Sequence, residues 1–103
     1  MSLQYPDFNH TLPDKIIHSR VRLAILSALA HSEEVDFSSL KAAVGTTDGN
    51  LSKQIEQLEK AGYIASHRIT AGNRKQTTVA LTNIGRTALL NYKSLINRWL
   101  SFE

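Results

Sequence analysis

The sequence predicts a mainly α-helical domain with one small β-hairpin, which is an α+β fold. Apolar residues recur at three- and four-residue steps in four segments, as they do on the buried faces of helices. Between residues 63 and 81, two runs rich in β-branched residues alternate in polarity, as hairpin strands do. The 103 residues suffice for one core. We therefore expect one domain over residues 1–103, with an N-terminal arm at 1–12.

Two helices are predicted in the first half of the chain. The first covers residues 14–31, where the apolar stripe consists of Ile17, Val21, Ala24, Ile25, Ala28 and Leu29. The second covers about residues 37–44, with Asp36 as its N-cap and Gly45 as its C-terminal stop. The segment Val35-Asp36-Phe37 before it is compatible with a short strand or with a strap.

A third helix begins after Thr47, its predicted N-cap, and ends at Ala61-Gly62. Its inward face consists of Leu51, Ile55 and Leu58. Since Gly45-Thr46 alone separates it from the second helix, the two are predicted to form a helix-turn-helix.

The outward face of the third helix carries polar side chains suited to DNA bases and phosphates. Asparagine and glutamine amides pair with adenine, and lysine reaches guanine acceptors or phosphate oxygens. The candidate DNA-binding residues of this helix are Thr47, Asn50, Ser52, Lys53, Gln54 and Gln57. On the helix alone, an ordinary solvated face is an equally good interpretation.

A hairpin follows, with strands predicted at Tyr63–Ile69 and Thr77–Leu81. The intervening residues, Thr70–Gln76, are predicted to form its loop and contain Gly72-Asn73, which allow a tight bend.

The positive charge of the chain is concentrated on this hairpin. The formal net charge is +3, with −3 in residues 32–60 and +3 in residues 61–80. The three cations are Arg68, Arg74 and Lys75, which favours a local phosphate contact. Arg74 is placed to enter a minor groove. The alternative is a hairpin whose charges only keep its tip soluble.

The last helix is predicted over residues 82–102, with Thr82 as its cap. About 20 residues span ~30 Å, more than a domain with a radius of gyration of ~13 Å can cover. The far half of this helix, with Tyr92, Trp99 and Phe102, is therefore expected to leave apolar surface exposed to solvent. Exposed apolar patches mark interfaces. We therefore expect a homodimer, helped by residues 3–12, and the predicted interface residues are Tyr92, Leu95, Ile96, Trp99 and Phe102. Packing within the chain, on the first helix, is the alternative.

Other kinds of function find little support. The chain has no cysteine, so disulfides, thiolate metal sites and cysteine nucleophiles are excluded. The four histidines lack the spacing of metal ligands, and no glycine-rich phosphate loop is present. The sequence lacks a signal pattern and an apolar run of ~18 residues. We expect a cytoplasmic protein without catalytic activity, cofactor, metal or membrane partner.

Several segments together resemble a known family. They are His18-Ser19-Arg20-Val21-Arg22-Leu23-Ala24-Ile25-Leu26, Val35-Asp36-Phe37, Thr47-Asp48-Gly49-Asn50-Leu51-Ser52, Leu58-Glu59-Lys60-Ala61-Gly62-Tyr63-Ile64, and Leu81-Thr82 with Gly85. Over about residues 12–100 the chain resembles the small winged-helix transcriptional regulators of the MarR/ArsR-like group. More narrowly, it is similar to the stand-alone winged-helix DNA-binding subfamily.

This resemblance implies a winged helix-turn-helix with a long C-terminal dimerisation helix. It implies a dimer on a pseudo-palindromic operator, with the third helix in the major groove and the hairpin as a wing. The positions that match groove-facing residues are Thr47, Asn50, Ser52, Lys53 and Gln54, while Arg74 and Lys75 match the wing tip. Arg20 matches a phosphate contact near the first helix. The cysteine or histidine clusters of ArsR metal sensors are absent, so metal sensing is not implied.

We therefore expect a sequence-specific double-stranded DNA-binding transcriptional regulator, acting as a homodimeric repressor. The alternative is a winged-helix protein–protein interaction module without direct DNA readout. Such a module has no need for Arg68, Arg74 and Lys75 together, so the basic hairpin favours DNA. A small-molecule effector in the dimer crevice is compatible with the first interpretation.

Overall fold

The computed structural model describes residues 7–102, except for the side chain of Ala71. Within this range the elements in chain order are α1 (Arg20–Ala30), β1 (Val35–Asp36), α2 (Phe37–Val44), α3 (Asp48–Lys60), β2 (Ile64–Ala71), β3 (Arg74–Leu81) and α4 (Asn83–Trp99). The predicted α+β class and the order of its elements are confirmed. The first part of the predicted arm, residues 1–6, lies outside the described residues, as does Glu103.

The predicted start of the first helix, at residue 14, is wrong, because α1 begins at Arg20. Ser19 has an extended backbone (φ −149°, ψ 134°) and serves as the N-cap. Before it, the Asp14 carboxylate accepts a hydrogen bond from the backbone N–H of Ile17 (3.2 Å) and holds a separate turn. Ile17 is nevertheless fully buried, so it joins the apolar core from this turn.

The predicted caps of α2 and α3 are confirmed. Asp36 accepts a hydrogen bond from the Ser39 backbone N–H at 3.0 Å, and Gly45 ends α2 with a left-handed φ of 72°. The hydrogen bond from the Ser39 hydroxyl is the main reason that the pKa of Asp36 is lowered. Thr47 accepts a hydrogen bond from the Asn50 backbone N–H at 3.1 Å, which starts α3.

The three strands form an antiparallel sheet in the order β1-β3-β2. Val35 in β1 lies opposite Val79 in β3, which settles the open choice between strand and strap in favour of a strand. The core lies between this sheet and the helices, and its fully buried residues are Ile17, Ile25, Leu26, Leu29, Leu40, Leu51, Leu58 and Val79.

The hairpin is longer and its loop shorter than predicted. The predicted loop Thr70–Gln76 is wrong, because the strands pair as far as Ala71 opposite Arg74. Gly72-Asn73 alone makes the turn, with a positive φ (66°) at Gly72, as a type II′ turn requires at its first position. Each strand has eight paired residues and is about 27 Å long.

The last helix is shorter than the predicted 82–102. Thr82 is its N-cap as predicted, but α4 ends at Trp99, because Leu100 leaves helical geometry (φ −97°, ψ 8°). The described part of the arm contacts this end: the Trp99 indole N–H donates to the Asp7 carbonyl at 2.7 Å. The radius of gyration is 16.1 Å, above the ~13 Å expected of a compact domain of this length.

Candidate nucleic-acid interface

Helix α3 has one face in the core and one face in solvent. Leu51, Ile55 and Leu58 are buried against the rest of the domain, which fixes the rotation of the helix about its axis. Four of the predicted DNA-binding residues on this helix are exposed, namely Thr47, Ser52, Lys53 and Gln57. Their side chains are available to a partner without any rearrangement of the fold.

The other two predicted residues on α3 are half-buried and hydrogen-bonded along one flank of the helix. Arg22 of α1 donates through Nη1 to Gln54 Oε1 at 2.7 Å. Gln54 Nε2 donates to Asn50 Oδ1 at 3.1 Å, and Asn50 Nδ2 donates to Thr46 Oγ1 at 2.8 Å. These four residues form what we call the Arg22–Thr46 chain. The amides are therefore held by the protein rather than projecting freely.

The opposite flank of α3 faces the hairpin. Glu59 accepts a hydrogen bond from the Ser66 hydroxyl in β2 at 2.9 Å. A groove of about 250 Å³ lies between the two elements, with Phe37, Ser52, Ile55, Glu59, Ser66, His67, Arg68 and Thr77 around it. Two predicted DNA-binding residues, Ser52 of α3 and Arg68 of β2, thus line the same groove.

The charges on the hairpin differ from those on the helices. Arg68, Arg74 and Lys75 are exposed, and none is ion-paired with another residue in the described part of the chain. On α2 and α3, by contrast, four charged residues are paired in two salt bridges, Lys41–Asp48 at 2.8 Å and Glu56–Lys60 at 3.4 Å. The hairpin therefore presents unneutralised positive charge beside the exposed face of α3.

The root of the hairpin is fixed to α4. The Thr82 backbone N–H donates to the Tyr63 carbonyl at 3.0 Å, and the Thr82 hydroxyl donates to the Gly62 carbonyl at 2.6 Å. Gly85 is buried so closely that an added Cβ would lie 2.8 Å from the Tyr63 carbonyl carbon. The Tyr63 hydroxyl donates to the Asp14 carboxylate. The pKa of Tyr63 is raised to about 12, mainly by burial of the hydroxyl and secondly by this hydrogen bond.

The predicted dimer residues of α4 differ widely in exposure. Leu95 is buried within its own chain, and Ile96 and Trp99 are half-buried. Tyr92 is half-buried as well, and its hydroxyl lies 2.8 Å from Nδ1 of the exposed His18. Phe102 is 78% exposed. Packing within the chain thus covers part of the predicted dimer interface.

Other apolar residues of this region are more exposed than Tyr92, Leu95, Ile96 and Trp99 of the predicted set. They are Ile84, Leu90 and Leu100, each more than half exposed. Grooves lie on both flanks of α4. One groove, of about 450 Å³, lies between α4 and α1, and Leu23 and Leu100 are among the residues that line it. The other, of about 820 Å³, lies between α4 and the segment that holds Leu12 and Asp14.

The predicted site lacks two residues of this hydrogen-bonded chain, Arg22 and Thr46. The predicted Arg20 is the first residue of α1 and is exposed. The four-residue spacing of Thr46, Asn50 and Gln54 is visible in the sequence and is typical of side-chain hydrogen bonds along a helix. The contact with Arg22 depends on how α1 and α3 cross, and no local pattern indicates it.

Residues 7–102 contain neither a candidate metal-binding cluster nor a candidate membrane-spanning helix. No cluster of three histidine, cysteine, aspartate or glutamate side chains there is arranged to hold a metal ion. None of the helices in this range combines the length and the apolar character needed to cross a bilayer.

The arrangement is that of a helix-turn-helix followed by a basic hairpin, which defines the winged helix class of DNA-binding proteins. Residues 21–100 match the winged helix DNA-binding domain family, and the chain belongs to this family. It is 37% identical over 78 residues to an uncharacterized protein of Methanocaldococcus jannaschii. The aligned residues cover 76% of this chain and 85% of that protein.

Solved structures agree with this assignment. A transcriptional regulator homologue from Pyrococcus horikoshii superposes with a TM-score of 0.71 and 28% identity, over 84% of this chain and 89% of that one. A MarR family transcriptional regulator from Silicibacter pomeroyi superposes with a TM-score of 0.65 and 29% identity, over 77% of this chain and 52% of that one. The predicted resemblance to MarR-like winged-helix regulators is confirmed, and these similarities support a role in transcription regulation.

Proposed function

We propose that this protein is a sequence-specific repressor that binds double-stranded DNA as a homodimer. The observation that carries the proposal is the shared flank of α3 and the hairpin, joined by the Glu59–Ser66 hydrogen bond and the groove beside it. A DNA duplex lying along this flank meets a polar helix and an unpaired cationic hairpin together. Such a combination supplies base contacts and phosphate contacts from one rigid surface.

The two elements have different roles in this proposal. Helix α3 enters the major groove, where Lys53 and Gln57 reach base edges. Asn50 and Gln54 offer to the same edges the donor and acceptor positions that their bonds within the protein leave free. Thr47 and Ser52 reach the sugar-phosphate backbone. The hairpin lies over the adjacent minor groove. Its contacts to DNA come from Arg68, Arg74 and Lys75. Arg20, exposed at the start of α1, adds a phosphate contact.

The homodimer is supported by the apolar surface around α4. Leu90 and Leu100 are exposed along the 450 Å³ groove between α1 and α4, and Phe102 is exposed beyond the end of α4. A second copy that covers them buries apolar area. Ile96 and Trp99, half-buried, contribute their remaining surface. A two-fold dimer places two recognition helices about 34–36 Å apart on a pseudo-palindromic operator. Occupying that length of promoter blocks transcription, which makes the protein a repressor.

A small-molecule effector is a second candidate, favoured by the 820 Å³ groove beside α4. Its volume is within the range of ligand sites, about 300–1,000 Å³. Apolar residues such as Leu12 and Leu95 line it together with Asp14 and Arg98, which offer charges of both signs. A screen of metabolites by thermal shift tests this candidate. An Arg98→Ala variant that responds to a hit as the wild type does would contradict the assigned groove.

The test of DNA binding begins with selection of duplexes from a random pool. Fluorescence anisotropy then gives the affinity for the selected duplex and for a scrambled one. If the dimer neutralises about 6–10 phosphates, affinity falls about 10³–10⁵-fold between 50 and 200 mM salt. We expect Arg74→Ala to weaken binding to both duplexes, and Asn50→Ala or Gln54→Ala to reduce the preference between them. Arg86→Ala, which removes an exposed arginine of α4 that lines neither groove beside this helix, is the matched control.

Two results would contradict the proposal. Weak binding with little salt dependence favours the protein–protein interaction module instead. Equal losses on both duplexes for all three variants refute the division between helix and hairpin.

Separately, solution mass at two concentrations tests the dimer, and we expect Leu90→Glu to shift the equilibrium to monomers. A wild-type protein that stays monomeric on its operator would refute that part.

A further inference from the structure

The Arg22–Thr46 chain contains one residue whose hydrogen-bonding chemistry has a single direction. A guanidinium group has five N–H donors and no acceptor. The Gln54 side chain must therefore turn its oxygen toward Arg22 Nη1, as it does at 2.7 Å. This leaves the amide nitrogen of Gln54 facing Asn50, whose oxygen accepts from it at 3.1 Å.

The remaining members of the chain do not set a direction by themselves. Asparagine and glutamine amides carry a donor and an acceptor, and the Thr46 hydroxyl both donates and accepts. Without Arg22, the chain can run either from Gln54 to Thr46 or from Thr46 to Gln54 with the same number of hydrogen bonds. Arg22 alone breaks this symmetry, because it fixes the first amide and each amide then fixes the next.

The direction of the chain matters for DNA. Each amide has two N–H groups and an oxygen with two lone pairs, so one donor and one acceptor position remain for a base edge. Adenine presents an acceptor and a donor in the major groove, whereas guanine presents two acceptors. Turning an amide over exchanges its donor and acceptor, and so changes which edge it matches.

We propose that Arg22 is a positioning residue that sets the base preference of α3 by fixing the orientation of Gln54 and Asn50. This inference rests on the proposed function and deepens it. Arg22 is half-buried, and its Nε also donates to the Ile16 carbonyl at 2.6 Å, so the guanidinium is held at both ends. It makes no salt bridge with another described residue. Nε thus anchors the guanidinium to the turn before α1, and Nη1 is directed at α3.

The experiment compares Arg22→Met with Arg20→Met. Both variants lose one arginine from α1, but Arg20 is exposed, whereas Arg22 contacts α3. For Arg22→Met we expect the ratio of affinities for selected and scrambled duplexes to fall by about five- to tenfold, the size of one lost base contact. For Arg20→Met we expect both affinities to fall together, so that the ratio stays the same.

A second variant, Gln54→Glu, separates positioning from folding. The carboxylate still accepts from Arg22, but it has no donor for Asn50, so the Asn50 amide turns over to donate to residue 54. We expect the base preference at one operator position to change, measured by competition with all four base pairs at each position. Side-chain NH₂ signals in ¹H–¹⁵N spectra of the free protein monitor the amides. We expect those of Asn50 to shift in both the Arg22→Met and Gln54→Glu variants.

The possible outcomes separate the inference from the proposed function. A folded Arg22→Met protein with an unchanged affinity ratio overturns the inference and leaves the proposed function intact. If Arg22→Met does not fold, the Gln54→Glu variant decides, and an unchanged base preference overturns the inference. A wild-type protein that binds all duplexes equally overturns the proposed function itself, whatever the spectra show.

Discussion

The two ends of the β2–β3 hairpin are built in opposite ways. At the root, Tyr63 and Thr82 are hydrogen-bonded to each other and Gly85 packs against them. At the tip, a two-residue turn joins exposed strands, and Arg74 and Lys75 are not ion-paired with other described residues. The root therefore sets where the hairpin points, and the tip presents its charges to solvent. These unpaired charges are kept away from the contacts that stabilise the fold.

Gly85 provides the strongest test of the root. We expect Gly85→Ala to destabilise the protein by about 3 kcal/mol or more, because its Cβ would lie within 3 Å of the Tyr63 backbone, which cannot move like a side chain end. Urea denaturation measures the free energy of unfolding. We also expect the variant to move the hairpin away from α4, and under the proposed function DNA affinity then falls even where the protein remains folded.

Gly49 is the matched control for this substitution. It lies in the first turn of α3, where an added Cβ meets no heavy atom within 4 Å. Gly49→Ala is expected to stabilise the protein by up to about 1 kcal/mol through helix propensity. If Gly85→Ala were tolerated as well as Gly49→Ala, the close packing of the root against α4 would be refuted.

Gly72 provides the corresponding test at the tip. It has a positive φ of 66° and open space around its Cα, so Gly72→Ala meets strain without a clash. We expect a loss of about 1–2 kcal/mol, smaller than at Gly85. Hydrogen exchange is expected to show faster opening of the Ala71–Arg74 end of the ladder, while the core stays protected. Equal protection changes at root and tip would contradict the difference between the two ends.

The sequence predicts those parts of the fold that depend on neighbouring residues. Asp36, Thr47 and Thr82 are correctly predicted as caps, because a cap acts within three residues of its own position. The start of the first helix is mispredicted because Ile17, part of the helical stripe, is buried from a turn. The loop Thr70–Gln76 is predicted too long because polar strand residues at an exposed hairpin end are indistinguishable from loop residues.

Contacts between distant elements could not be predicted. From the sequence, Gly85 is only a mild cost to its helix, yet the structure requires a glycine there, because α4 touches the Tyr63 backbone. Arg22 lies off the apolar stripe of α1, and its partner Gln54 is 32 positions away. The exposed residues of the site, such as Lys53 and Arg74, are predictable because periodicity and charge suffice to place them on a surface.

Tyr63 gives the smallest expected effect, which depends on pH. Its pKa is raised to about 12, mainly by burial and also by its hydrogen bond to Asp14, so the folded state holds this proton more tightly than the unfolded chain does. The contribution of Tyr63 to stability is therefore complete below pH 10, the ordinary pKa of tyrosine, and is lost as the pH rises toward 12.

The measurement is the difference in the free energy of unfolding between the wild type and Tyr63→Phe from pH 7 to 12. We expect the wild type to be more stable by about 1 kcal/mol at neutral pH, the usual net value of one hydrogen bond. This advantage is expected to disappear between pH 10 and 12. Other effects of high pH act on both proteins and cancel in the difference. An advantage that persists unchanged to pH 12 would mean that the Tyr63 hydroxyl does not secure the root of the hairpin to Asp14, and the root would then depend on Thr82 and Gly85 alone.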